Sequence, residues 1–542
     1  MKQPNYYIRH REQILNRDVF SWPGLGGWSF YFLVKFGLAY FDFVQVDLLY
    51  NFTLIAVLVL PLRYAWLQVA RQVIAIPVGI SLLYYESYLP PFNRLLAQWE
   101  QISAFSWQYI LELTGRIVQF EYIAVLIVSW IIYLYMARTL RMTMIAILGL
   151  FSLFWFSPAA QQDLNIVDNL PAGAADALPG ARRPSSPDEF LTQFYEDQAK
   201  ILFDATVQLT PDFDILVVNI CSLSWDDLAV AGLDQHPLFS RSDIVLDNFN
   251  SATSYSGPAA LRLLRAQCGH PPHDDLFEPA PECLLAQQLA EHGFRSELLM
   301  NHTGEFDNFR QQLHQHGGLP PANDIPLGNA PVAMTGFDEQ PIYADYPILS
   351  SWVSTQTNSQ QPRLGFYNTT SLHDGNRVPG FQGNSLESFR FRAQQLLDDL
   401  LQLQADIRAS NRNVLLIIVP EHGAALRGDK LQLPGLREIP SPALTHVPVL
   451  ISLFGEAVNN QRIPPQRVAR TTGPSAVAAA IVGVLEQQPF QGGEYDPAAI
   501  ADSLPVTAWV AENKDVKVMD YNDQYILKLN NQAWIRYPGA NK

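Results

Sequence analysis

Asp214-Ile215-Leu216-Val217-Val218-Asn219-Ile220-Cys221-Ser222 and Val414-Leu415-Leu416-Ile417-Ile418-Val419-Pro420-Glu421-His422-Gly423 each carry a short, unbroken apolar run straight into polar residues. Such runs, rich in β-branched side chains and closed by turn residues, are strands buried on both faces. Two more follow the same rule, at 363–368 and 447–454. Between them lie helical periodicities at 191–203, 259–266, 283–291 and 388–409. Strands alternating with helices predict an α/β sandwich around a largely parallel sheet. At 516–537 three short strands, split at Asn522-Asp523 and Asn530-Asn531, predict a small antiparallel β tail. In open α/β sheets ligands sit beyond the carboxyl ends of the strands, so the residues just after each strand matter most.

Toward the N-terminus the composition changes. Apolar stretches at 28–46, 52–62, 73–89, 122–137 and 143–156 predict an α-helical transmembrane bundle of about five helices. No cleavable signal peptide is evident, because the first stretch begins late and lacks a small-residue cleavage site. Lys2, Arg9, Arg11 and Arg17 precede the first span, Arg63 and Arg71 flank the second connection, and Arg138 and Arg141 flank the fourth. Positive charge in alternate loops places the N-terminus in the cytoplasm, and an odd number of spans places everything after Phe156 outside. Trp99, Trp107 and Tyr109 in the external 90–119 loop suit an interfacial helix. Lys35 and Asp42 share a face of the first span and read as polar contacts to a neighbouring helix. The expected organisation is a membrane domain over 1–158, a Pro- and Ala-rich linker over 159–190, and a catalytic α/β domain over 191–542.

The net charge of −16 over 542 residues argues against a nucleic-acid partner, which demands a basic surface. Three cysteines leave one unpaired. Cys268 and Cys283 bracket a Pro- and His-rich loop and are expected to pair in an oxidising compartment, leaving Cys221 reduced. His270, His273, His314 and His316 read as solvated loop residues, and Gly24, Gly26 and Gly27 follow no strand and make no dinucleotide fingerprint.

Four motifs carry chemistry. Cys221 ends the first strand; by itself it reads as a small buried residue rather than a ligand. Glu421-His422 ends another strand on a turn where carboxylate and imidazole can converge on one ion. The same letters at Glu291-His292-Gly293 follow a helix, where the glycine is an ordinary C-cap. Ser254-Tyr255-Ser256-Gly257-Pro258 opens a helix, either as a plain serine cap or as a hydroxyl set among phosphate-favouring backbone donors. His373-Asp374-Gly375-Asn376 adds an imidazole beyond a third strand. Together, Cys221, Glu421 and His422 supply three ligands of the types zinc takes, with Ser256 as the fourth and as an activated nucleophile toward phosphorus. His373 would move the proton between leaving alcohol and acceptor, Arg437 would either hold phosphate oxygens or be a plain exposed arginine, and Tyr255 would donate to the phosphate. Cys221 is not followed by the Pro and Arg of a sulfatase nucleophile, nor by the Arg of a cysteine phosphatase: Leu223, Trp225 and Asp227 stand there.

The stretches 219–225, 248–258, 419–423 and 436–442 resemble the cellulose phosphoethanolamine transferases of bacterial cellulose secretion systems, over essentially the whole chain. The resemblance implies an alkaline-phosphatase-type sandwich, one zinc ion held by Cys221, Ser256, Glu421 and His422, Ser256 as nucleophile and His373 as a catalytic residue. It further implies an inner-membrane enzyme with a periplasmic catalytic domain, a phosphatidylethanolamine donor, and the 6-hydroxyl of cellulose glucosyl units as acceptor, beside the cellulose synthase complex. Two other readings share the residues: a membrane-anchored zinc-dependent phosphatase or phosphodiesterase with water as acceptor, and a non-catalytic scaffold of a polysaccharide synthase.

Overall fold

A computed structural model describes residues 24–41, 43–87, 103–117, 120–156, 186–201, 211–320, 330–355, 361–410, 412–459, 464–530 and 532–539. The chain divides into two compact units, Met1–Ala97 with Val118–Leu170, and Gln98–Ile117 with Pro171–Lys542. The segment 98–117, counted with the membrane part on sequence grounds, thus groups with the second unit.

The first unit contains helices α1 (Trp28–Tyr40), α2 (Leu48–Val59) and α3 (Ala65–Glu86), and α5 (Phe120–Met136) and α6 (Met142–Phe156); α4 (Trp107–Ile117) lies between them in sequence and belongs to the second unit. Helices therefore stand at all five apolar stretches, but the expected bundle of five spans is not matched in length. At about 1.5 Å per residue α2 is about 18 Å long and α6 about 22 Å, against a hydrocarbon core of about 30 Å. Among the described residues only α3, with 22 residues, is long and apolar enough to cross a membrane. Its Val69, Val73, Ile76 and Ile80 are exposed, which suits contact with lipid rather than water. Lys35 is buried and pairs with Glu86 of α3, and its Nζ donates to Asn51 Oδ1 of α2 at 2.6 Å. That staple is the polar contact to neighbouring helices expected of Lys35; Asp42 lies outside the described residues.

The second unit is built on a seven-stranded sheet. Its strands are β1 (Asp214–Ile220), β2 (Ile244–Asn250), β3 (Arg295–Met300), β6 (Arg363–Thr369), β7 (Val414–Pro420), β8 (His446–Phe454) and β9 (Gln466–Val468), in the order β3-β6-β1-β7-β8-β2-β9. The four expected strands are present, and β2, β3 and β9 join them. The sheet is mixed: β8 alone runs against its neighbours β7 and β2. Its reversal matters, because the chain before β8 is delivered to the edge where the other strands end. Along β1 the side chains alternate. Ile215 and Val217 pack with Ala260 and Ile481 on one face, and Leu216, Val218 and Ile220 pack with Leu396 and Leu400 on the other.

A hairpin of β4 (Val332–Thr335) and β5 (Pro341–Tyr343) lies apart from this sheet, and the tail is a four-stranded meander, β10 (Val510–Asn513), β11 (Val516–Tyr521), β12 (Gln524–Leu529) and β13 (Ile535–Arg536). The tail exceeds the three expected strands by β10, whose buried Glu512 accepts from Arg262 Nη2 at 3.0 Å and pairs with Lys517. Cys268 and Cys283 form the disulfide, and Cys221 is free and buried. His270 departs from expectation: it is buried against Phe194, with Nε2 3.7 Å from Glu512.

Burial, reinforced by the Arg262 charge, takes the His270 imidazole from its ordinary 6.5 down to about 4. The unfolded ring therefore binds a proton between those values and the folded ring does not, so stability falls as pH drops through that window. Thermal unfolding followed from pH 7 to 4 should show a shallower loss for His270→Gln than for the parent; parallel curves would remove His270 as a source of the slope.

Candidate active site and metal centre

Each chemical motif leaves the same edge of the sheet. β1, β6 and β7 lie in parallel register, Asn219 opposite Asn368 and Val419, and Ile220 opposite Thr369 and Pro420, so Cys221 and Glu421 emerge side by side. Ser222 takes a left-handed turn with φ 71°, an uncommon conformation for a side chain of this kind, directly after Cys221. β2 ends at Asn250, and the chain turns through Thr253 and Ser254 into a helix (Ser256–Leu264) whose first residue is Ser256.

The ligand atoms of Cys221, Glu421 and His422 lie within 4.8 Å of one another, all buried. Ser256 Oγ is 3.4 Å from Cys221 Sγ and 3.2 Å from His422 Nε2. His422 Nδ1 is 2.9 Å from the Gly423 carbonyl, which fixes the proton there and turns the Nε2 lone pair toward Ser256. Asn368 Nδ2 donates to Glu421 Oε1 at 2.6 Å, while the buried Glu421 Oε2 has no hydrogen-bond partner.

The electrostatics are those of donors waiting for a positive charge. Burial, then the neighbouring Glu421 carboxylate, pushes the Cys221 thiol up to about 11. Burial pushes Glu421 up to about 7 and takes His422 well below its ordinary value. A buried anion without a counter-charge is costly, and a divalent cation among these three groups reverses the penalty. The donor set of one thiolate, one carboxylate, one imidazole and a nearby hydroxyl suits zinc, and the unpartnered Glu421 oxygen marks where a ligand bond would form.

Arg437 reaches this edge because of the reversed β8: the loop ahead of His446 brings it over the cluster. Its Nη1 donates to Ser222 Oγ at 3.1 Å and its Nη2 to His373 Nε2 at 3.1 Å. Ser254 Oγ donates to the Arg437 carbonyl at 2.6 Å, and Asn513 Nδ2 of β10 donates to that carbonyl at 3.2 Å and to that of Glu438 at 3.1 Å, fixing the loop. His373 Nδ1 donates to the Asp374 carbonyl at 2.6 Å, so its Nε2 faces the site as an acceptor. Burial and the Arg437 charge lower its pKa to about 3. Tyr255 is turned aside, its hydroxyl donating to Glu438 Oε2 at 2.7 Å.

Thus Cys221, Ser256, Glu421, His422, His373 and Arg437 form one cluster, and Tyr255 stands at its margin in this conformation. Sequence reasoning passed over Asn368, Ser222 and Asp227. The available signal for Asn219 and Asn368 was a polar residue near the end of an otherwise apolar buried strand; Asn368 Nδ2 also donates to Asn219 Oδ1 at 2.8 Å. Asp227, buried in the helix Trp225–Ala231, accepts from the Ala424 amide at 2.6 Å, the Leu426 amide at 3.3 Å and Ser224 Oγ at 2.8 Å. It thereby holds the turn that carries Glu421 and His422. The glycine of that turn is required: a Cβ on Gly423 would lie 2.6 Å from Ser224 Oγ and 2.8 Å from Asp227 Oδ2. Gly293, in the similar motif after a helix, sits at φ 90° as a plain helix terminator.

A mixed α/β sandwich thus gathers a buried thiol, carboxylate and imidazole around a serine hydroxyl at the ends of its parallel strands. Residues 174–534 match the cellulose biosynthesis protein BcsG C-terminal domain and residues 28–155 the BcsG N-terminal domain. The chain is 35% identical over 550 residues to the cellulose biosynthesis protein BcsG of Escherichia coli K12, covering 95% of this chain and 97% of that one. It is 35% identical over 547 residues to BcsG of Salmonella typhimurium LT2, with the same coverage. The chain belongs to the BcsG family of cellulose biosynthesis proteins. Among solved structures it is similar to an alkaline phosphatase superfamily protein from Vibrio parahaemolyticus, at 12% identity over 65% of this chain and 88% of that one, with a TM-score of 0.44. It is also similar to the C-terminal periplasmic domain of EcEptC from Escherichia coli in complex with Zn, at 12% identity over 61% and 94%, with a TM-score of 0.42.

Asp227→Asn should cost about 1–3 kcal/mol of stability, because an amide cannot accept from all the donors that converge on the carboxylate. Denaturant unfolding reads the loss directly, and a midpoint unchanged from the parent would contradict the role given to Asp227.

Proposed function

We propose that this protein transfers phosphoethanolamine from phosphatidylethanolamine, through a covalent intermediate on Ser256, to the 6-hydroxyl of glucosyl units in nascent cellulose. The observation that carries the reading is Ser256 Oγ set 3.4 Å from Cys221 Sγ and 3.2 Å from His422 Nε2, at the mouth of a buried ligand set. Family membership supports cellulose as the acceptor. In this reading Cys221, Glu421 and His422, with Ser256, hold one zinc ion. Bound there, the metal would lower the pKa of the serine hydroxyl and neutralise negative charge.

The remaining work falls to the chain's own groups. Ser256 Oγ, its proton released to solvent, forms the new bond to phosphorus as the bond to the diacylglycerol oxygen breaks, and that oxygen leaves with the proton that His373 Nε2 takes up once the donor is bound. The guanidinium of Arg437 orients the phosphoryl oxygens. An anionic phosphoryl group on Arg437 also offsets the charge that lowers the affinity of His373 Nε2 for a proton, so the same ring can supply the leaving alcohol and then accept from the cellulose hydroxyl. In the second half, the 6-oxygen bonds to phosphorus and Ser256 is released. Tyr255 joins the phosphate only after leaving Glu438. We further infer a multi-pass inner-membrane protein with a cytoplasmic N-terminus and a periplasmic catalytic domain over 191–542. A membrane anchor keeps the lipid donor at high effective concentration.

Full-length protein incubated with phosphatidylethanolamine should yield a phosphoethanolamine adduct on Ser256, read by peptide mass spectrometry, and cello-oligosaccharide should discharge it to a modified sugar. Ser256→Ala should abolish both products, and metal chelation should slow both by at least about 100-fold. Discharge to water at the same rate without sugar would favour a hydrolase, and adduct-free turnover would exclude the serine route.

A further inference from the structure

Two loops carry the groups that move charge in this site, His373 on one and Arg437 on the other, and both are seated against a helix from elsewhere in the chain. That helix is α4 (Trp107–Ile117), which follows α3 and precedes α5 in sequence. Its Arg116 grips the Asp374 carboxylate with both arms, Nη1 to Oδ2 at 2.6 Å and Nη2 to Oδ1 at 2.9 Å. Tyr109 donates its hydroxyl to Oδ2 at 2.9 Å, and Ser385 donates to Oδ1 at 2.6 Å. These cationic and hydroxyl donors hold the Asp374 carboxyl far below the usual carboxylate range in spite of its burial.

Asp374 is the residue whose backbone carbonyl receives His373 Nδ1, so the fork on its side chain sets the plane in which the imidazole lies. The other surface of the ring is fixed from the same direction. Phe337 stacks on His373 with centroids 4.2 Å apart and planes 25° apart. Phe337 is in turn met edge-on by Phe105 at 5.7 Å, lies 6.1 Å from the Tyr109 ring, and accepts the Ser106 amide on its carbonyl at 2.8 Å.

Two glycines carry an independent trace of the same contact. Gly375, at φ 81°, has no room for a Cβ, which would lie 2.6 Å from Phe337 and 2.8 Å from the Tyr109 ring. Gly435, at φ 82° two residues before Arg437, would drive a Cβ into the Arg116 guanidinium and to 2.8 Å from Asp374 Oδ2. Both loops are thus shaped to receive α4.

We propose that Tyr109 and Arg116 are positioning residues for the transfer reaction, acting through Asp374 to hold His373 Nε2 where it exchanges a proton with the leaving and attacking oxygens. The assignment rests on the role given to His373 above. The segment between α3 and α5 then does more than join helices: it completes the catalytic unit, which is discontinuous in sequence.

The test compares two phosphoethanolamine esters on full-length enzyme in detergent micelles. One has an alkanol leaving group, which needs a proton to depart, and the other a nitrophenol, which does not. Arg116→Ala and Tyr109→Phe should lower the single-turnover rate of leaving-group release at least about 30-fold on the alkyl ester and less than about threefold on the nitrophenyl ester, with Arg116→Lys between Arg116→Ala and the parent. Tyr109→Phe removes only the hydroxyl and keeps the ring against Phe337, which guards against loss of fold. Equal losses on both esters, or no loss on either, would overturn the proposal. His373→Ala is the reference. If it lacks the leaving-group split, the role of His373 fails and this proposal falls with it; if it shows the split and the α4 variants do not, this proposal alone fails. Ser256→Ala should lose turnover of both esters in any case, and retained turnover would instead reject the serine route.

Discussion

Three side chains of the types that hold metal ions, a thiol, a carboxylate and an imidazole, are packed with their donor atoms within 4.8 Å of one another and almost no access to water. Desolvation opposes the anionic forms of Cys221 and Glu421, and the carboxylate makes the thiolate costlier still. Such a cluster stays uncharged by keeping its protons, or becomes anionic where a positive charge sits among its lone pairs. Much of the surrounding architecture can be understood as what keeps it in place. Asn368 takes one Glu421 oxygen and leaves the other open. The Gly423 carbonyl fixes the His422 tautomer, and Asp227 gathers the amides of the turn behind Glu421 and His422.

The positive charge contributed by the protein itself is Arg437, and it enters by a different route. In an all-parallel sheet the loop before a strand lies at the opposite edge from the ligand site. Because β8 is reversed, the segment leading into it returns over the ends of β1 and β7. One guanidinium then spans Ser222 beside the ligand cluster and His373 beyond it. The bridge couples the two halves of the site: burial, and after it the charge of Arg437, disfavours protonation of His373.

Stability and site geometry are likewise joined through the helix that begins with Ser256. Arg262, two turns further along, is buried against Glu512 of β10, and Asn513 beside it secures the Arg437 loop. The small C-terminal meander therefore buttresses both the helix that carries Ser256 and the loop that carries Arg437. A buried ion pair of this kind is costly to break from one side, since the surviving charge is left without a partner.

Sequence periodicity was sufficient for β1, β6, β7 and β8, for the helix after Ser256, and for the positions of five apolar helices, because each depends on local burial that repeats along the chain. Cysteine count and loop context identified the Cys268–Cys283 bond, and donor chemistry at strand ends gathered Cys221, Glu421 and His422 before any coordinates. What periodicity cannot carry is the identity of distant partners. Arg116 and Asp374 are 258 residues apart, and Tyr109, which resembled an interfacial anchor, is buried with its hydroxyl on the same carboxylate. His270 resembled a solvated loop residue and proved buried beside Glu512. Local composition reports how much water a segment avoids, and strand order, strand direction and loop closure decide which groups replace that water.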